Sequence, residues 1–399
     1  MVVINVKTRT MSAQDFECGY VRCADGVFTD IGDMSDYREI PGEEVIDGAG
    51  LTLYPGFIDA HCHIGMWNDA LCFEGEDGNE DTDPSTPHLR AIDSVNPMDR
   101  CFEDAVAAGV TTVCTGVGSA NPIGGSFIIM KTWGSKRVDK LIVRSPAAIK
   151  FALGENPKNT YNDRDETPVT RMATAAIIRE QLTKAKRYSE DIAEYERLKG
   201  TDDEISRPDY DIKCEALLPL FDGKHPLKAH FHCHRADDIF TALRISREFG
   251  LDYVLIHCTD GHLIAGELAL ENASAVVGPI ICDPCKPELA NITPKNAGLL
   301  AQHGVKTAIC TDHSETPIEY LPLTVGIAVK NGMTFMQALE AVTINAAEIG
   351  GIDDLAGSIE MGKRADMVIF EGSPFEVMSE PKLVMINGTL IKYRKEIRY

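Results

Sequence analysis

The run Gly56-Phe57-Ile58-Asp59-Ala60-His61-Cys62-His63 is apolar until it ends in two histidines spaced two apart. On a strand, residues at that spacing face the same side, so both imidazoles can reach one ion. A lone His-x-His is as readily a pair of satisfied surface residues. Here the motif has company: His232 closes a run that begins at Lys228, His257 closes Val254-Leu255-Ile256-His257, and Asp312 closes Thr307-Ala308-Ile309-Cys310-Thr311-Asp312. Four imidazoles and a carboxylate suit Zn²⁺ or a similar borderline cation. Such an ion lowers the pKa of bound water from about 15.7 to about 7 and polarises a carbonyl, which is the chemistry of hydrolysis.

These residues need a scaffold that brings distant strand ends together. From residue 110 to residue 312 strand-like and helix-like stretches take turns, the pattern of a parallel sheet wound with crossover helices. Thr111–Thr115 follows a helix candidate that stops at Gly109, and Asp237–Phe249 has helical spacing with Gly250 just past its end. Tyr253–His257, Ala275–Ile280 and Thr307–Asp312 read as strands. The charged stretch from Thr170 to Lys199 reads as a solvent-facing helical insertion. In a (β/α)₈ barrel, residues at the C-terminal ends of strands converge on one face, where active sites of this architecture lie. Both ends of the chain have a different texture. Short β-prone runs, from Val2 to Ile46 and from Ala365 to Gly388, suggest one small sheet domain built from both termini.

The bulk numbers narrow the partners. At 399 residues the chain holds a barrel of about 250 residues with insertions and a satellite module. A net charge of −22 argues against nucleic acid and anionic membrane surfaces. No apolar stretch approaches the roughly 20 residues a membrane span needs. The 12 cysteines lie scattered in strand-like runs and no secretory leader is evident, which fits reduced thiols in a cytoplasmic protein.

Several residues form a second tier. His234 and Arg235 follow His232 at the expected barrel mouth and are candidates to bind a substrate carboxylate, with a salt bridge from Arg235 to Asp237 or Asp238 as the equal alternative. His230 shares a face with His232 and competes for its role, from deeper in the strand. His262 and His313, in loops after ligand-bearing strands, are candidate site-wall or transition-state groups. Gly118–Gly125 is a glycine-rich loop without the Lys-Ser/Thr ending of a phosphate loop. The acidic stretch Glu74–Asp83 reads as a solvated lid and matches a calcium loop poorly.

Pro55–His63, His232, His257, Thr311-Asp312-His313 and the tail Gly357-Ser358-Ile359-Glu360-Met361-Gly362-Lys363-Arg364-Ala365-Asp366-Met367-Val368 together resemble the amidohydrolase superfamily, in the branch around imidazolonepropionase and related dipeptidases. The resemblance spans nearly the whole chain with its motifs in order. It implies an α/β fold: a (β/α)₈ TIM barrel over 55–355 with a composite β-sandwich from 1–54 and 356–399. It implies His61, His63, His232, His257 and Asp312 as ligands of one or two divalent metal ions, with zinc expected. For the fourth strand the sequence offers Lys150 and Glu155, of which Glu155, at the expected strand end, is the preferred ligand and Lys150 a substrate-binding residue. Asp312 would take the proton of the water and pass it to the leaving nitrogen. The expected reaction is cleavage of a C–N bond in a cyclic amide, N-acyl amino acid or dipeptide. Heterocycle deamination and a non-catalytic binding barrel are the alternatives. The expected partner is a small molecule, with a homo-oligomer allowed.

Overall fold

The computed structural model of the chain describes residues 1–69, 71–200 and 205–393. The N-terminal segment forms β1 (Val2–Thr8), β2 (Phe16–Ala24), β3 (Val27–Asp33), β4 (Val45–Asp47) and β5 (Thr52–Pro55). Eight strands then make the central sheet: β6 (Phe57–Cys62), β7 (Val110–Thr115), β8 (Ile123–Lys131), β9 (Ile142–Ala152), β10 (Lys228–Cys233), β11 (Tyr253–His257), β12 (Ser274–Val277) and β13 (Lys306–Ile309). The C-terminal segment adds β14 (Met367–Phe370), β15 (Leu383–Ile386) and β16 (Thr389–Tyr393).

The central strands pair in chain order from β6 to β13. The ring closes at its upper rim, where the Asp312 amide donates to the His61 carbonyl at 3.2 Å and the His63 amide to the His313 carbonyl at 2.8 Å. This is the TIM-barrel arrangement the sequence implied, with one departure: β8 runs antiparallel to both β7 and β9. The glycine-rich segment 118–125 therefore enters a strand at Ile123. No side chain fits at Gly125, where a Cβ would lie 2.4 Å from the Leu89 carbonyl oxygen.

Register separates the two faces of the barrel wall. Lys150, His230 and Val254 are adjacent across β9, β10 and β11, as are Ala152, His232 and Ile256. This row belongs to the interior, with Phe127, Val254, Ile256 and Val276 in one cluster. The alternate residues Phe151, Phe231 and Leu255 pack outward against helices. Strands covered on both faces carry continuous apolar runs, which is why Val254-Leu255-Ile256 shows no alternation.

The crossover between β9 and β10 contains the helix Arg171–Leu198. The expected solvent-facing insertion is corrected here. Thr174, Ile178, Gln181, Leu182, Ala185 and Tyr188 recur at helical spacing, are buried, and turn one stripe toward the barrel. The charges cover only the remaining face. Ala236–Phe249 is the helix expected after β10, ended by Gly250 in the left-handed conformation.

Strands from the two termini pair with each other: β14 lies antiparallel to β5, and the order is β16-β15-β14-β5-β1-β2-β3, with β4 also on β1. Val3, Val6, Phe28, Leu53, Met367 and Ile369 form its own core. One buried ion pair, Lys131 to Asp366, joins the end of β8 to the residue before β14.

Candidate metal centre

Seven polar side chains meet where the parallel strands end. His61, His63 and Asp312 bring one ligand atom each to within 4.8 Å of one another, and so do His232, His234 and His257. Lys150 reaches up between the strands, its Nζ 3.1 Å from His61 Nε2 and over the Phe127 ring. Simple strand alternation does not account for two of these positions. Ile58 and Ala60 belong to the interior cluster while Cys62 and Ile64 belong to the outer one, and a register break between Asp59 and Cys62 turns His61 inward. His257 is in register with the outward-facing Cys233, yet its φ of +70° swings its ring to 4.6 Å from that of His232. Asp312 also has a left-handed backbone, φ +55°. Non-glycine residues in that region cost on the order of 1 kcal/mol or more and persist where the surroundings impose them, often at functional sites.

The imidazoles are held by their outer nitrogens. His63 Nδ1 donates to the Gly116 carbonyl at 2.6 Å, His257 Nδ1 to the Gly278 carbonyl at 2.7 Å, and His234 Nδ1 lies 2.7 Å from Thr259 Oγ1. A proton on Nδ1 leaves the lone pair on Nε2, facing inward, which is the orientation a metal ligand needs. His63 Nε2 is 3.3 Å and His61 Nε2 3.7 Å from Asp312 Oδ1. Below them Asp59 accepts from the Thr311 hydroxyl at 2.5 Å and from the His61 amide at 3.2 Å, tying β6 to the segment that carries Asp312.

Burial shapes the charge state. It pushes His61, His232 and His234 well below the ordinary histidine range and His257 down to about 4, so these rings are neutral near pH 7. It also pushes Lys150 down to about 8. Burial alone would raise the Asp312 carboxyl, but His257, His63 and Lys150 outweigh it and hold the group well below the carboxylate range. Neutral imidazoles with inward lone pairs and an ionised carboxylate are the forms that coordinate a cation. Among the buried side-chain atoms at this mouth without a hydrogen-bond partner are Asp312 Oδ1 and His234 Nε2. A divalent ion is the kind of group that would satisfy them, so the donor set fits one.

The other expected residues are placed as follows. Glu155 does not reach either cluster. The strand stops at Ala152, Gly154 turns the chain at φ +85°, and Glu155 opens a helix with its carboxylate toward the Glu288 amide at 3.3 Å. The order of preference on the fourth strand is therefore corrected in favour of Lys150. Arg235 is half-exposed and forks onto Asp237 at 3.0 and 2.9 Å, away from the cavity, so it is an unsuitable carboxylate anchor. His262 bonds the Thr259 carbonyl and does not line the cavity. His230 sits below the site beside Phe127, and His313 accepts from the Ile318 amide. His234 joins His232 and His257 directly. Glu288 carries no signal in the sequence: it is buried in the short 3-10 turn Pro287–Leu289, with no periodicity to mark it, and lies 3.6 Å from His234 Nε2.

A cavity of about 430 Å³ opens over both clusters, lined also by Trp67, Asn79, Ser119, Asn156 and Lys286. The expected acidic lid contributes Asn79, whose Oδ1 accepts from the Ala120 amide, and its Gly78 packs under the Trp67 ring. All 12 cysteines are free. No helix among the described residues is long and apolar enough to cross a membrane.

A barrel with histidines and an aspartate at its strand ends defines a class of hydrolases that generally depend on metal, and comparison with known proteins agrees. Residues 52–391 match the model of the amidohydrolase family, and the chain belongs to it. It is similar to amidohydrolase tasK of Hapsidospora irregularis, 26% identical over 386 residues. The match covers 91% of this chain and 39% of tasK, so the chain spans well under half of that relative. It is also similar to the imidazolonepropionase of Mesorhizobium japonicum, 24% identical over 381 residues, with 89% of this chain and 87% of that one covered. Among solved structures, the amidohydrolase from Thermotoga maritima is 38% identical with a TM-score of 0.91, covering 98% of this chain and 100% of that one.

Proposed function

We propose that the chain is a metal-dependent hydrolase of a C–N bond in a small cyclic amide, N-acyl amino acid or dipeptide. The observation that carries this reading is the meeting of His61, His63, Asp312 and Lys150 with a second histidine cluster beneath one open cavity. His61, His63, His232, His257 and Asp312 would hold one or two divalent ions, with zinc suited to the nitrogen-rich set. Lys150 takes the fourth-strand place. When bound, the metal supplies a water that ionises near pH 7 and an electrophile for the substrate carbonyl.

The residues of the chain do the rest. Asp312, ionised and with Oδ1 unpartnered toward the cavity, accepts the proton of the attacking water and returns it to the leaving nitrogen. Asp59 holds the segment bearing Asp312, which fixes the direction of that transfer. His63 and His257 are kept from rotating by the Gly116 and Gly278 carbonyls. Trp67 and Asn79 wall the cavity on the lid side and limit the substrate to a small molecule. Residues 55–355 form the catalytic barrel, and 1–54 with 356–399 the accessory sheet, in a cytoplasmic enzyme.

The test is a panel of N-acyl amino acids, dipeptides, cyclic amides and heterocyclic amines, followed by amine and ammonia release with and without a chelator. Release of amine or ring-opened acid, lost on chelation and restored by Zn²⁺, is expected. Ammonia from heterocyclic amines alone would assign deamination instead. Absence of turnover across the panel, in protein that holds no metal, would leave a binding barrel.

A further inference from the structure

Arg235 pairs with Asp237 away from the cavity, so a cation able to meet an anionic substrate has to come from elsewhere. The loop after β12 supplies one. Lys286 is the only lysine or arginine among the described residues that line the cavity. Its ammonium is part-exposed and held from two sides: Nζ is 2.7 Å from Glu288 Oε1 and donates to Asn156 Oδ1 at 2.9 Å. Glu288 is fixed in turn, because its Oε2 accepts from the Glu155 amide at 2.9 Å. An ammonium carries three donors, so one N–H remains. At the other end of the Asn156 amide, Nδ2 donates to Ser119 Oγ at 2.8 Å. That bond uses the Ser119 hydroxyl as an acceptor, and its own proton has no acceptor among the described residues. Asn156 thus orients an ammonium and a hydroxyl, each with a donor left over, and all three side chains line the same cavity.

We propose that Lys286 and Ser119, aligned by Asn156, form a carboxylate-binding subsite that decides which substrates the barrel takes. The inference rests on the reading of the chain as a C–N hydrolase and narrows it to substrates with a free carboxylate. Two leftover donors match the two oxygens of a carboxylate, and the charged one makes the shorter and stronger bond. A carboxamide of the same shape turns its own NH₂ toward one of them and leaves that donor without an acceptor, which is costly in a partly desolvated site. Glu288 neutralises Lys286 at a distance, so the subsite acts by contact. It does not offset the long-range repulsion that a chain of net charge −22 exerts on anions. Asn156 Nδ2 also lies 3.5 Å from His232 Nε2, so the subsite borders the histidine cluster and the carboxylate it holds sits close to the bond that is cut. The α-carboxylate of an amino-acid leaving group, one carbon away from the scissile nitrogen, meets that requirement. A cyclic amide without a carboxylate does not.

The experiment is calorimetric binding to the Zn²⁺-loaded full-length chain, with Asp312→Asn as the background that stops turnover. The probes are N-acetylglycine, N-acetylalanine and N-acetylleucine, each beside its carboxamide. With Lys286 and Ser119 in place, the best acid is expected to bind about 10–100-fold more tightly than its amide. In Lys286→Met that ratio should fall to within about threefold, in Ser119→Ala it should fall several-fold, and Lys286→Arg should restore most of it. Thermal melts show which variants are folded. Should Lys286→Met unfold because it strands Glu288, Ser119→Ala and Lys286→Arg carry the test. Equal binding of acid and amide, or failure of every acid to bind the metal-loaded chain, would overturn the subsite and leave the hydrolase to substrates without a carboxylate. A ratio that survives in both Lys286→Met and Ser119→Ala would place the preference at the metal and overturn it equally. A chain that takes up no Zn²⁺ would remove the hydrolase reading, and acid binding that still depends on Lys286 in that chain would uphold the subsite alone.

Discussion

Two lysines on neighbouring strands of one barrel are both fully buried, and they meet opposite surroundings. Lys131, at the end of the reversed strand β8, lies at the floor. It pairs with Asp366 and also donates to Thr112 Oγ1 at 2.8 Å, so its charge is matched by the accessory sheet. Lys150, near the upper end of β9, has His61 Nε2 as its hydrogen-bond partner and no carboxylate within salt-bridge distance among the described residues. A matched buried charge holds two layers together. An unmatched one, pushed down to about 8, is tolerated where chemistry uses it. Under the proposed function, the difference gives the floor of the barrel to stability and the mouth to reaction, as the architecture generally does.

The largest expected effect sharpens the mouth side of this comparison. Asp312→Asn removes the proton acceptor and should lower kcat by about 10²–10⁴-fold on any substrate the panel identifies. Lys131→Met should act on the other side: it strands Asp366 and is expected to lower unfolding stability by about 3–5 kcal/mol in urea titrations, with kcat per folded molecule retained. Lys150→Met should do the reverse, with kcat reduced and stability unchanged or raised, because it removes a buried charge that has no counter-ion. If Lys131→Met abolished turnover in folded protein while Lys150→Met left it untouched, the division between floor and mouth would be wrong. Arg235→Ala should change KM by less than about threefold, since the exposed pair with Asp237 is worth at most about 1 kcal/mol and does not face the cavity.

Much of the barrel was legible in the sequence because its signals are local. Apolar runs ending in His or Asp marked β6, β10, β11 and the segment after β13, and Gly250 marked a helix end. The paired termini were visible as matching β-prone texture. What escaped depended on contacts distant in sequence. Nothing within residues 118–125 says that the last three join an antiparallel strand, where the Leu89 backbone crosses Gly125 too closely for any side chain. The sequence favours Glu155 over Lys150 because nothing in it marks the strand as ending before Glu155, whereas Gly154 turns the chain first. The inward aim of His61 and His257 comes from a bulge and a left-handed residue, so the spacing named residues that the structure brings together without supplying the geometry that gathers them. Glu288 has no periodic context at all, and only the fold brings it to His234.

The most direct measurement is a crystal structure of the purified chain with anomalous data collected across the zinc edge. The expected result is an anomalous peak within ligand distance of His61, His63 and Asp312, with the Lys150 amine nearer to it than the Glu155 carboxylate. A chain that carries no peak at the barrel mouth after growth and crystallisation with Zn²⁺, or one whose peak lies away from those three side chains, would contradict the proposed centre.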